Sequence, residues 1–171
     1  MKKYIQKFEG FNNDRYNYQE ISKEKFGDIL LDLTTIDIED SQIRYPKFNM
    51  NARNYLFGGN NYDLYLIERE ELPISGSFEV VIEADDQFIG FIRGNKKDII
   101  ISFNLIFIVE EYRRKGIGTD IYEKLLNKGY IMKSDSEITD NTYSIYYNLV
   151  NYNDYTPLIF NDGSVGIKNK K

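Results

Sequence analysis

The chain has 171 residues, of which 42% are hydrophobic and 15% aromatic, and its formal net charge is −5. This length and apolar content predict one domain with a real core and exclude a wholly disordered chain. The sequence has neither cysteine nor histidine, which excludes disulfides, thiol nucleophiles, Ser–His triads and nearly every zinc site. We therefore expect no metal centre.

The chain shows no segment that predicts contact with a membrane. No stretch approaches the roughly 20 apolar residues that a membrane span needs. The first ten residues, MKKYIQKFEG, lack the apolar run of a secretory signal. We therefore expect a cytoplasmic protein. The negative net charge disfavours nucleic acid as a partner, because it would repel the phosphate backbone.

The first 76 residues give a mixed pattern. MKKYIQKFEG could form a first strand, and residues 21–33 predict an amphipathic helix. The stretch from TTIDIED to RYPKF is ambiguous. Two apolar-rich runs flank Gly58-Gly59-Asn60, which predicts a hairpin.

The next segment is typical of an antiparallel meander. Residues 77–84 alternate as a strand, Asp85-Asp86 predicts a turn, and residues 87–93 return as a second strand. A further turn is predicted at residues 94–98, followed by a long third strand at residues 99–109. Short turns between consecutive strands favour antiparallel pairing.

The remaining elements alternate between helix and strand. In order, we predict a helix that begins near Gly118 and ends at Gly129, a strand at 130–133, a helix at 139–149, and a hairpin of residues 157–160 and 164–168. This order predicts an α+β fold, a mixed, mostly antiparallel sheet flanked by helices, in a single domain of residues 1–171.

One junction between a predicted strand and a predicted helix has the residues of an anion-binding site. In FIVEEYRRKGIGTDIYEKLLNKG, residues 107–129, a strand passes into a helix through two arginines, a lysine and two glycines. The first N–H groups of a helix have no intrahelical partner, and with the helix dipole they form an anion site. Gly116 and Gly118 would let phosphate oxygens approach those groups closely. The pattern predicts capture of a phosphate or pyrophosphate; a structural turn with solvated charges is the alternative.

Other phosphate-binding motifs do not fit this junction. The sequence has no Gly-Lys-Ser/Thr of a Walker A loop, and Ile121 stands where a dinucleotide fingerprint requires glycine. Residues 109–118, VEEYRRKGIG, instead resemble the Arg/Gln-x-x-Gly-x-Gly/Ala signature of the GCN5-related N-acetyltransferase (GNAT) superfamily. Residues 77–171 follow the element order of that family, whereas residues 1–76 show no match. The resemblance implies a divergent N-terminal part, an acyl-CoA-binding core, and a sheet splayed between the motif strand and the next strand.

The resemblance also implies acetyl-CoA as the co-substrate. The N–H groups of residues 114–119 would hold its pyrophosphate, and the end of the preceding strand would pair with its pantetheine arm, in a cleft beside residues 130–133. The cofactor-binding residues implied in this way are Phe107, Ile108, Val109, Arg113, Arg114, Lys115, Gly116, Ile117, Gly118 and Thr119.

The catalytic residues follow less directly. Family members carry a helical tyrosine that protonates the departing CoA thiolate; Tyr146 matches that position, and a shift of one residue selects Tyr147. Packing aromatics are the alternative for both. Ser102 and Asn104 share a strand face by two-residue alternation and could hold a water at the acceptor site. Asp135 could bind an amine, or cap the helix that follows.

The function implied is an acyl-CoA-dependent N-acyltransferase that transfers acetyl to a primary amine by direct attack. The acceptor would be a small molecule or a protein. Two alternatives stay open: a binding module that kept the scaffold without catalysis, and an acyltransferase acting on a protein or a modified nucleobase. The final hairpin could also pair across a homodimer.

Overall fold

The computed structural model describes residues 17–34 and 46–170. The predicted first strand and most of the ambiguous stretch lie outside the described residues. The described elements are β1 Tyr18–Glu20, α1 Lys23–Leu33, β2 Arg53–Gly58, β3 Asp63–Ile67, β4 Ser75–Ala84, β5 Gln87–Lys97, β6 Ile100–Ile108, α2 Ile117–Asn127, β7 Ile131–Lys133, α3 Asp140–Asn151, β8 Thr156–Phe160 and β9 Val165–Lys168, with short 3-10 turns at Met50–Ala52 and Glu110–Tyr112.

The elements confirm the predicted α+β class. The chain divides into two compact units, residues 43–124 and residues 1–42 with 125–171. Within each unit the paired strands run antiparallel. The single-domain organisation stays a prediction.

In the described part of the chain, every helix is too short or too polar to cross a membrane.

The unit of residues 43–124 contains the predicted meander. Its strands follow the order β6-β5-β4-β3-β2, and the predicted hairpin is β2–β3, in which Gly58 pairs with Asp63. β5 runs on to Lys97 because its polar end stays paired with the start of β6. The predicted turn at 94–98 is therefore wrong in its start, and the chain reverses at Asp98, whose φ is +57°.

Aromatic side chains fill both faces of the meander. On one face, Phe103 lies edge-on to Tyr122 of α2, with 5.1 Å between ring centroids. On the opposite face, Phe91 packs against Phe107 at 5.8 Å and against Phe48 at 5.6 Å. These contacts fix the end of β6, from which the chain enters the predicted anion-binding turn.

The second unit orders its strands β1-β8-β9-β7 and carries α1 and α3. Ser22 caps α1 by accepting a hydrogen bond from the Lys25 N–H at 3.1 Å. Phe26 on the buried face of α1 then lies against Tyr146 of α3, with 6.4 Å between ring centroids. Residues 21–33 are thus helical as predicted, apart from the first two.

The β4–β5 turn offers a test of backbone strain. Asp85 and Asp86 have φ of +53° and +59°, a conformation that costs a non-glycine residue about 1–2 kcal/mol. We expect Asp86→Gly to raise the free energy of unfolding by about 0.5–1 kcal/mol, since glycine adopts this conformation without that penalty. Urea unfolding measures the change. Asp85→Gly is the matched control and should gain less, because the Asp85 carboxylate accepts a hydrogen bond from the Tyr112 hydroxyl at 3.0 Å. A lower urea midpoint for Asp86→Gly than for the wild type would contradict the claim that the backbone of Asp86 is strained.

Candidate functional site

Backbone hydrogen bonds shape the exit from β6. The Val109 N–H donates to the Ile89 carbonyl at 2.8 Å, so the ladder with β5 extends one residue past the strand. The chain then curls into the 3-10 turn, in which the Tyr112 N–H donates to the Val109 carbonyl at 3.0 Å and the Arg113 N–H to the Glu110 carbonyl at 3.1 Å. The turn therefore starts from a defined position at the end of the strand.

Two left-handed residues then direct the chain into α2. Arg114 has φ +60° and Gly116 has φ +79°. A Cβ at Gly116 would meet nothing within 4 Å, so glycine is favoured there by backbone conformation and not by space. Arg114 adopts the same region at a cost of about 1–2 kcal/mol.

The start of α2 presents unpaired backbone donors. The first intrahelical bond runs from the Asp120 N–H to the Gly116 carbonyl at 2.9 Å. The N–H groups of Gly116, Ile117, Gly118 and Thr119 precede that bond and have no intrahelical partner. Ile117 is buried and anchors the first turn of the helix. Together with the helix dipole, these four N–H groups can bind an anion.

The three cations of the turn play different parts. The Arg113 Nε donates to the Ile108 carbonyl at 2.6 Å, and its guanidinium lies over the Phe107 ring at 5.4 Å. Arg113 therefore stabilises the end of β6 through these two contacts. Lys115 lies over the Tyr112 ring at 5.1 Å, and both Arg114 and Lys115 are exposed. These two side chains supply the positive charge that faces solvent beside the N–H groups.

Ser102 and Asn104 lie at an irregularity in β6. Ser102 pairs with Asn95, and the register then shifts, which leaves Asn104 as the extra residue of a bulge. The bulge interrupts the two-residue alternation from which their shared face was predicted. The Asn95 Nδ2 nevertheless donates to the Asn104 Oδ1 at 2.8 Å, so Asn95, which the sequence reasoning missed, links the two residues. Their role in acceptor binding stays a prediction.

The two candidate tyrosines differ in exposure. Tyr146 is 1% exposed and lies on the buried face of α3 with Leu149 and Val150. Tyr147 is half-buried and stacks on Tyr143, with 5.8 Å between centroids and 19° between ring planes. The packing role considered from the sequence is therefore evident for Tyr146, whereas Tyr147 keeps part of its ring accessible.

Asp135 is exposed and does not cap the helix that follows. Its Oδ1 accepts a hydrogen bond from the Ser136 N–H at 2.9 Å, and the cap of α3 is Thr139. The capping alternative is wrong because Ile138 is held in an extended bridge, where its N–H donates to the Leu33 carbonyl at 3.0 Å. The helix can begin only after that bridge. An amine-binding role for Asp135 stays a prediction.

Sequence reasoning also missed a contact at the first turn of α2. The Tyr62 hydroxyl donates to the Asp120 Oδ2 at 2.6 Å. The two residues are 58 positions apart, and Tyr62 lies in the part of the sequence that showed no family resemblance. The two glycines and two asparagines before Tyr62 signal a loop, but no local pattern says where that loop packs.

Part of the chain matches a known protein family. Residues 66–144 match the acetyltransferase (GNAT) domain, which is just under half of the chain. The matched segment runs from β3 to α3 and includes the meander, the turn and α2. A search of curated protein sequences finds no significant match.

Three solved structures show distant likeness. The PaiA N-acetyltransferase from Thermoplasma acidophilum, in complex with coenzyme A, is 16% identical over 56% of this chain and 62% of that chain, with a TM-score of 0.37. AAC(6')-Iy, in complex with a CoA bisubstrate analogue, is 20% identical over 44% and 60%, with a TM-score of 0.32. A tandem GNAT protein from the clavulanic acid pathway is 16% identical over 36% and 21%, with a TM-score of 0.29.

Each of these alignments spans less than two thirds of the solved protein, and likeness this distant says nothing about substrate. The family match covers the elements on which the sequence resemblance rests: the meander, the glycine turn and the helix that follows it. Residues 66–144 are therefore similar to the acetyltransferase (GNAT) domain, which confirms the family resemblance that residues 109–118 gave.

Proposed function

We propose that this protein is an acyl-CoA-dependent N-acyltransferase that transfers acetyl from acetyl-CoA to a primary amine. The observation that carries the proposal is the turn into α2. It presents the N–H groups of residues 116–119 without intrahelical partners, and it lies inside the segment that matches the GNAT domain. A pyrophosphate is the ligand that suits this arrangement.

The residues of the turn would divide the binding of acetyl-CoA among them. The N–H groups of Gly116 to Thr119 would donate hydrogen bonds to the pyrophosphate oxygens. Arg114 and Lys115, both exposed, would add charge next to the phosphates. Arg113 would hold the strand end through the Ile108 carbonyl, so that β6 keeps the orientation in which it pairs with the pantetheine arm.

The ladder of β6 suggests which amide would face the thioester. Backbone N–H groups of an antiparallel strand point alternately to its two edges. The Val109 N–H donates to Ile89 on the β5 side, so it is engaged and the Ile108 N–H points to the opposite edge. We propose the Ile108 N–H as the donor that polarises the acetyl carbonyl and stabilises the developing oxyanion.

The chemistry then needs no covalent enzyme intermediate. The neutral amine attacks the thioester carbonyl, the tetrahedral intermediate collapses, and the C–S bond breaks. A tyrosine of α3, Tyr146 or Tyr147, would protonate the departing thiolate. Ser102, Asn104 and Asp135 would bind the amine or a water that relays its proton.

A second candidate function follows from the same residues. Neither Ser102 nor Asn104 can act as a general base, and the Asn104 side-chain oxygen already accepts a hydrogen bond from Asn95. A module that binds acyl-CoA without turning it over would need no base.

The cytoplasmic location, the choice of acceptor and a homodimer stay predictions.

Turnover separates the two functions. Release of the CoA thiol should be followed with acetyl-CoA and a panel of primary amines, including diamines, amino sugars and peptides with a lysine or a free N-terminus. We expect amine-dependent release above the hydrolysis seen without amine, with an N-acetyl product identified by mass spectrometry. Binding of acetyl-CoA without release for any amine would favour the binding module, and no binding by the folded protein would overturn both.

A further inference from the structure

The β2–β3 loop lies against the first turn of α2, within the unit of residues 43–124. The Gly59 N–H donates to the Tyr62 carbonyl at 2.9 Å and closes the loop. Tyr62 is 5% exposed, and its hydroxyl donates to the Asp120 Oδ2 at 2.6 Å. A short hydrogen bond from a buried hydroxyl to a carboxylate belongs to the stronger class.

The fit around this hydrogen bond is close. A Cβ at Gly59 would lie 2.1 Å from the Tyr62 ring and 2.5 Å from the Asp120 Oδ2. Only glycine can therefore occupy position 59 while the ring and the carboxylate keep these positions. The Lys124 ammonium lies 3.8 Å from the same carboxylate oxygen. Tyr62 and Lys124 together engage the oxygen of Asp120 that faces the loop.

The placement of Asp120 matters because it is a negative charge beside the proposed anion site. Its N–H makes the first intrahelical bond of α2, to Gly116. Side chains of a helix lean toward its N-terminus, and a carboxylate there is attracted to the unpaired N–H groups. A carboxylate that turned toward those groups would both occupy them and repel a phosphate.

The Tyr62 hydroxyl is suited to hold this carboxylate. Burial, and then the hydrogen bond to Asp120, raise the pKa of Tyr62 far above its ordinary value. A tyrosine hydroxyl is already protonated at neutral pH at its ordinary pKa, so it is a donor there, and the raised pKa extends this to more alkaline pH. Asp120 gains a partner away from the N–H groups of the turn without gaining a second negative charge.

We propose that Tyr62 is a positioning residue for the anion site: it holds the Asp120 carboxylate away from the N–H groups of Gly116 to Thr119, so that the phosphates of the ligand can bind them. The identity of that ligand as acetyl-CoA rests on the proposed function. The positioning itself concerns any pyrophosphate group that binds the turn.

A double-mutant cycle tests this role, with calorimetric binding of acetyl-CoA and of inorganic pyrophosphate to the wild type, Tyr62→Phe, Asp120→Asn and the double variant. We expect Tyr62→Phe to raise the Kd of both ligands about 10-fold or more, the size of effect that follows from losing a hydrogen bond to a charged group. Asp120→Asn should bind as well as the wild type or more tightly. The double variant should match Asp120→Asn, because losing the Tyr62 hydroxyl should weaken binding only when residue 120 carries a negative charge.

Tyr55→Phe is the matched control, since it removes a tyrosine hydroxyl from the same hairpin at an exposed position. It should leave both Kd values unchanged. Wild-type affinity of Tyr62→Phe would overturn the proposal, and so would a loss that Asp120→Asn does not rescue, because the tyrosine would then only support the loop. A wild type that binds pyrophosphate but not acetyl-CoA would refute the proposed function alone, and one that binds neither would refute both.

Discussion

Replacing Gly118 with arginine is expected to raise the Kd of acetyl-CoA by at least about 100-fold, because charge-assisted hydrogen bonds contribute about 1.5–3 kcal/mol each and the side chain would block at least two of them. Gly118 is the second residue of α2, and its N–H is one of the four without an intrahelical partner. The added positive charge by itself would favour an anion. A loss of binding would therefore report the blocked approach to the backbone.

Gly27→Arg provides a control with the same change of charge. Gly27 lies inside α1, and a Cβ there would meet nothing within 4 Å. We expect this variant to bind acetyl-CoA with wild-type affinity by calorimetry and to unfold at the wild-type temperature or above, since arginine favours helix more than glycine does. Wild-type affinity of Gly118→Arg would show that the turn serves only to connect the strand with the helix.

The second large effect is expected at α3. Loss of a general acid typically lowers kcat by about 10²- to 10⁴-fold, and we expect Tyr147→Phe to fall in that range without a change in the Kd of acetyl-CoA. We favour Tyr147 as the general acid because it is only half-buried, so that a ligand could contact its hydroxyl. Tyr146→Phe should have a smaller effect, because Tyr146 is 1% exposed and phenylalanine keeps its ring packing.

Steady-state kinetics with acetyl-CoA and the best amine of the panel would decide between the two tyrosines. Tyr143→Phe is the control for the aromatic stack, since Tyr143 lies nearly parallel to Tyr147. The reverse order, with Tyr146→Phe the slower enzyme, would assign the acid to the buried ring. Near wild-type kcat for both variants would remove α3 from the chemistry.

The parts of the fold that could be predicted are those with local signals. The Asp85-Asp86 turn lies where the sequence places it, with both residues left-handed. α2 ends at Asn127, just before Gly129 adopts φ +95° and the Tyr130 N–H donates back to the Leu125 carbonyl at 3.2 Å. Alternation, turn residues and a terminal glycine act over a few positions, so a single sequence reveals them.

The parts that could not be predicted depend on distant partners. β1 has only three residues, and it exists because Tyr18 pairs with Phe160 at the other end of the chain. The position of Asp135 outside α3 depends on the bridge between Thr34 and Ile138. Neither pairing leaves a periodic pattern in the sequence.

The candidate site divides in the same way. Gly116, Gly118 and their cationic neighbours are contiguous, so the amino-acid sequence alone predicts the anion-binding turn. The brace from Arg113 to the Ile108 carbonyl depends on how the turn curls. The Tyr62 contact with Asp120 depends on where a remote loop packs. Contiguous residues therefore predict which segment would bind the ligand, and the folded chain adds the Tyr62 contact that we propose keeps this segment accessible.

Amide hydrogen exchange, measured by NMR with and without acetyl-CoA, tests most directly whether the turn binds the cofactor. The N–H groups of Gly116 to Thr119 have no intrahelical partner and should exchange quickly in the free protein. We predict that saturating acetyl-CoA slows their exchange markedly, while the amides of Gly27 and its neighbours in α1 change little. Binding of acetyl-CoA with unchanged exchange at Gly116 to Thr119 would contradict the account.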